Sequence, residues 1–355
     1  MNGHSSTRAL AVASIVAASL ASAQTGDLKI PVSGALTEDE TPSNYKLSLS
    51  YRPGFNIRAK FRHLGAAPAP TNPGPPSRGT DHRYDDGYNL VDSAGHDGYT
   101  WNWGYQNSSQ VPGNDTIQMH SSSAAGNGVS DNVYDDPQHG VELSLQRFLG
   151  KLGKGRWGLE AALNYANLSF RDQQPLDATA TRLTDAYALN GVVPPQAPYN
   201  GTFLGPGPLI SDTPVRSLTS VPGGARVTGS RELKADLYGL RFGPCWEIPL
   251  AEKVAVSLSG GLALGWVDSK FSYQETVTIG GFSTPPSAGK GSDSDLLVGG
   301  YFGATFSYAL TKSWGLFIGA EYQYLSSFSQ TVDGREATLD FSRSIFAKAG
   351  LSFSF

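Results

Sequence analysis

The chain has 355 residues and a formal charge of −4, with only 16% of its residues charged. That mildly acidic balance excludes the basic footprint of a nucleic-acid-binding protein. Low charge beside 42 Gly, 16 Tyr, 16 Phe and 6 Trp suits a molecule whose outer surface faces something other than water.

In chain order, residues 1–23 read as a secretory signal. Arg8 opens it, an apolar run follows from Ala9 to Leu20, and Ala21-Ser22-Ala23 supplies the small residues of a cleavage site before Gln24. About 12 apolar residues are too few for a spanning helix, which needs roughly 20. Residues 24–44 are expected to be a short periplasmic segment. The single cysteine, Cys245, cannot form an intramolecular disulfide.

Tyr45 to Phe61 alternates between apolar and polar residues, the period of a strand with two unlike faces. Its run is far longer than the roughly 5–6 residues usual in soluble sheets. Seven more strands are predicted near 140–149, 156–170, 231–248, 254–273, 293–310, 314–325 and 338–355. A phase shift at Leu237 and Tyr238 reads as a β-bulge. The connections alternate between three short ones (150–155, 249–253, 311–313) and four long ones, of which 62–139 and 171–230 are the largest. This predicts an all-β, antiparallel up-and-down transmembrane β-barrel over 45–355, with both termini on the short-turn side. Within the first long loop, Tyr99 to Gln106 is expected to form a hairpin with Thr116 to Ser122; counted in the wall, it would make ten strands instead of eight. The second long loop reads as irregular.

Three groups of residues carry specific expectations. Lys348, Gly350, Phe353 and Phe355 place a polar residue, a glycine and two alternating aromatics at the chain's end. Tyr45, Trp157, Trp246, Trp314 and Phe355 fall at the short-turn ends of strands, and Phe61, Phe170, Trp266, Tyr324 and Phe341 further up, as two aromatic girdles would. Arg52, Arg58, Glu160, Arg241, Glu321 and Lys348 fall on the polar phase, inside the barrel, where charges must pair. Glu321 and Lys348, on consecutive strands, are expected to face each other.

Other patterns are weak. Gly289-Lys290 lacks the first glycine and the final hydroxyl of a phosphate loop, with Thr284 and Gly291 in those places. Asp81, Asp85, Asp86, Asp92 and Asp97 could offer oxygen ligands to calcium, but their spacing fits a solvated, turn-rich segment better. His120 and Ser122 share a strand face without an identifiable third group. No catalytic, cofactor or metal residue is assigned.

Signal, alternation, loop asymmetry and terminal motif together resemble the small outer-membrane barrels of the OmpA-type and opacity-protein superfamily. The resemblance implies a place in the outer membrane among its lipids, lipopolysaccharide included, and recognition of Lys348, Gly350, Phe353 and Phe355 by the barrel-assembly machinery. The function expected from it is non-enzymatic, structural or surface-interacting, with an extracellular ligand reached through the loops. A narrow channel or porin for small solutes is the alternative, and an outer-membrane lipid-modifying enzyme a second one.

Overall fold

The computed structural model describes residues 44–355. The expected signal and nearly all of the segment at 24–44 lie outside them. Eight strands carry the architecture: β1 (Tyr45–Tyr51), β2 (His139–Leu152), β3 (Gly155–Asp172), β4 (Val215–Ala251), β5 (Val254–Ile279), β6 (Ser287–Ala309), β7 (Trp314–Leu325) and β8 (Ser344–Ser354). Each pairs antiparallel with its chain neighbour in this series, and β8 returns to pair with β1, so the sheet closes into an eight-stranded ring. Closure leaves no open edge in the wall. The seam is tight: Tyr45 and Phe355 exchange backbone hydrogen bonds at 3.0 and 3.1 Å.

At one end β2–β3, β4–β5 and β6–β7 are joined by turns of two to four residues. At the other end the wall continues upward. Leu176–Ala188 prolongs β3 along the 37-residue β4, and Thr116–Gly128 prolongs β2 along Leu176–Ala188. Phe328–Val332, Arg335–Asp340 and Arg58–Arg62 form a separate three-stranded sheet above β7, β8 and β1. Asp333 and Gly334, with φ of 47° and 79°, make its hairpin turn, where two positive φ values suit the right-handed strand twist.

Several expectations need correction. The alternation from Tyr45 to Phe61 is not one strand, because Pro53 has no N–H for a ladder and Asn56 adopts φ 61°. The break reverses the phase: Leu49 and Tyr51 point outward, whereas Ile57, Ala59 and Phe61 are fully buried. Arg58 therefore leaves the interior set. It is about one-third exposed and pairs with Asp340 at 2.5 Å. The eighth strand breaks likewise at 341–343, and Phe341 is buried.

No bulge occurs at Leu237 and Tyr238, whose pairings with Ala166, Tyr165, Val267 and Trp266 run without a shift. The phase change there is an inversion of the wall. Below this level the outward residues are apolar, such as Leu240, Phe242 and Leu262. Above it the apolar residues turn inward, as Leu233, Leu237, Leu168, Phe170 and Phe271 do, and Asp268 and Lys270 face out.

The large loops are folded too. Tyr99–Thr100 pairs with Ile210–Ser211, and Trp103–Tyr105 with Gly87–Asn89 and Tyr199–Asn200, so the expected hairpin with Thr116–Ser122 does not form. Trp103, Tyr105, Ile117, Met119, Tyr187 and Ile210 give this head its own apolar core. The second loop is not irregular throughout, since Leu176–Ala188 is laddered to both neighbours.

Candidate functional site

The barrel interior and its folded head are where chemistry could reside. The interior is filled in layers. Nearest the short turns, Glu247 on β4 meets its cross-strand neighbour Arg156 on β3 and Lys46 on β1, each at 2.6 Å, and the second of these contacts crosses the lumen. Above it, Gln146 donates to Glu160 at 2.7 Å.

The central layer holds three cations and three carboxylates. Arg52 meets Glu142 at 3.1 Å and Glu321 at 2.7 Å; Arg241 meets Glu142 at 2.6 Å, Glu321 at 2.5 Å and Glu160 at 3.6 Å. Lys348 lies 3.0 Å from Glu321 and 3.5 Å from Glu142. All six are buried. The set is neutral, as a desolvated cluster must be. The Arg52 and Arg241 guanidiniums also lie 3.4 and 4.4 Å from the ring centres of Phe346 and Tyr301.

Of the residues expected inside, the structure thus brings together Arg52, Glu160, Arg241, Glu321 and Lys348, and not Arg58. Sequence reasoning missed Glu142 and Gln146. Both alternate with Val141, Leu143 and Leu145 on β2, which is the signal that could have found them.

Above the charges, a sealed apolar layer gathers Ile57, Phe61, Phe170, Phe271, Phe328 and Phe341 with their neighbours. A further ionic layer follows, in which Arg231 meets Asp172 at 3.0 Å and Glu275 at 3.2 Å.

The aromatic residues divide. Trp157, Trp266, Trp314, Tyr324 and Phe355 point outward and are exposed, and Tyr45 and Trp246 are partly so. Phe61, Phe170 and Phe341 are buried inside and belong to no girdle. Tyr165, Tyr238 and Trp266 form one cross-strand row, with Trp157, Trp246 and Leu258 in another eight residues further down the same strands. At about 3.4 Å per residue and a tilt of about 40°, the rows stand roughly 20 Å apart.

At the C-terminus, Phe355 stacks on Tyr45 at 5.6 Å and Phe353 lies 5.0 Å from Trp314. Gly350 has no room for a side chain: a Cβ there would come within 2.1 Å of the Leu49 carbonyl oxygen.

In the head, the aspartates are occupied by the protein itself. Asp81 accepts from the Val91 amide, Asp85 from Ser122 and Thr71, and Asp86 from His120. Asp97 pairs with Arg78. Desolvation pushes the Asp92 carboxyl up, yet His96 and the Trp101, Gly95 and Ala94 amides more than offset this and hold it below its ordinary range. No cluster suited to a metal occurs among the described residues. His120 Nδ1 meets Asp86 at 2.6 Å, and no hydrogen bond joins His120 to Ser122.

No protein-family model and no curated protein matches the chain. Among solved structures, it aligns with Ail, the attachment invasion locus protein of Yersinia pestis, at 11% identity over 88% of this chain and 100% of that one, with a TM-score of 0.26. It resembles small outer-membrane β-barrels. The outer-membrane protease OmpT from Escherichia coli gives 12% identity over 90% and 99% of the two chains, TM-score 0.33. Neisserial surface protein A gives 11% over 89% and 100%, TM-score 0.26. The barrel itself stands on its closed ladder of hydrogen bonds rather than on these likenesses.

Proposed function

We propose that the protein is a non-enzymatic outer-membrane β-barrel of structural or surface-interaction type. Its short turns lie in the periplasm and its folded head outside the cell. The carrying observation is the inversion of the wall at the Tyr165–Tyr238–Trp266 row. A wall apolar outside and charged inside is stable only where lipid replaces water. Above the row the order is that of a protein in water. The roughly 20 Å between aromatic rows fits an apolar band of about 25 Å.

The layered interior supports a closed plug rather than a channel, because Glu247, the central cluster and the phenylalanine layer each cross the lumen. Lys348, Gly350, Phe353 and Phe355 fit an assembly signal, since the terminal strand carries the seam. The head offers the surface for an extracellular partner.

The test is conductance. Purified protein refolded into a planar bilayer is expected to give no steady single-channel current. Stable openings at low voltage would overturn the plug and favour the channel.

A further inference from the structure

We propose that the outer face of β3–β6 binds the phosphate of an outer-leaflet lipid headgroup through the row Ser169, Lys234, Lys270 and Ser292. The site rests on the membrane placement proposed above. These four residues are direct cross-strand partners on four successive strands. They lie four residues above the Tyr165, Tyr238, Trp266 and Leu296 row on their strands, roughly 10 Å higher at the same rise and tilt. The headgroup region extends about 5–8 Å beyond the apolar band, and lysine side chains reaching down from that row meet its phosphates.

Lys234 and Lys270 sit directly opposite each other, an arrangement that repels unless an anion lies between the two ammonium groups. Lys234 also reaches Glu232 at 3.0 Å, while among the described residues Lys270 has no carboxylate within ion-pair distance. Serine hydroxyls flank the lysines, so the row offers donors on all four strands and no carboxylate of its own. In the next row up, Arg171 and Lys290 stand at the two ends with Glu232 and Ser272 between them, so that row adds one net positive charge. The row below carries Asp236 opposite Asp268. Asp236 is engaged by the Tyr165 hydroxyl at 2.6 Å and the Asn167 amide at 3.0 Å, which direct its charge toward β3. A phosphate is matched in charge by the lysine row. An acyl tail below it continues onto the exposed Tyr238, Trp266 and Leu262.

The experiment uses the full chain folded in detergent micelles and titrated with dioleoyl phosphatidic acid, with thermal unfolding as readout. Wild type is expected to gain stability with the lipid. The double variant Lys234→Gln with Lys270→Gln should need at least tenfold more lipid for the same gain. Lys253→Gln, at a short turn, should behave as wild type. Inorganic phosphate alone should give no comparable shift; an equal shift would mean a free-anion site and overturn the lipid assignment. Equal lipid response in the double variant would overturn the site. Insertion of wild type and variant into phosphatidylcholine vesicles is measured first. A failure of the membrane placement shows there, and a failure of the headgroup site shows only in the titration.

Discussion

Glu321 is the residue on which the interior depends most, because Arg52, Arg241 and Lys348 all converge on it. Removing its charge leaves three buried cations against two carboxylates. Glu321→Gln should cost about 3–5 kcal/mol, the range for breaking a buried pair. Adding Lys348→Met restores neutrality and should recover part of the loss. Denaturant unfolding of the four proteins in the double-mutant cycle checks this, and additive effects would mean that the two groups do not interact.

Asp92 makes a second residue-scale prediction, in the head. A carboxylate whose folded pKa is depressed stabilises above its unfolded value, and the contribution is lost as pH falls through the folded one. Since the ordinary value is 3.8, the head should keep its protection at neutral pH and lose it only below about pH 4. Hydrogen exchange at the Ala94, Gly95 and Trp101 amides reads this directly. Asp92→Asn should raise exchange there at neutral pH and flatten its acid dependence.

At the scale of the strand, the inversion along β5 makes opposite demands on two residues that both lie on its outward phase. Leu262→Lys puts a charge against lipid and should destabilise by about 2–4 kcal/mol in a bilayer. Ser272→Lys, above the aromatic row, should stay within about 0.5 kcal/mol. Unfolding both variants from vesicles is the check, and equal costs would contradict the inversion.

The strands themselves were legible in the sequence, because period-two alternation reports two unlike faces whichever one is wet. Which face points inward was not. Leu237 and Tyr238 showed a change of phase, but alternation alone cannot tell a bulge from a wall that passes from lipid into water. Asn56 was opaque for a different reason: nothing in an unbroken pattern marks a residue at positive φ, so Phe61 and Arg58 exchanged sides.

For the whole molecule, closure into eight strands followed from counting strands and from the alternation of short and long connections. The head did not, because its ladders join distant segments. Trp103–Tyr105 meets Tyr199–Asn200, and Thr116–Gly128 meets Leu176–Ala188, pairings that local periodicity does not encode. Its aspartates read as a solvated segment because a carboxylate used by backbone amides looks like any other in sequence. Inside the barrel, the charge neutrality that Arg52 makes with residues of β2, β3, β4, β7 and β8 is likewise a property of the closed ring and of no single strand.

The central claim is that the wall crosses a bilayer below the Tyr165–Tyr238–Trp266 row and stands in water above it. Spin labels at Leu262→Cys and at Lys270→Cys, each in a Cys245→Ser background, test it most directly in reconstituted vesicles. The label at 262 should be accessible to oxygen and shielded from a nickel chelate, and the label at 270 should show the reverse. Nickel accessibility at both positions would contradict the account.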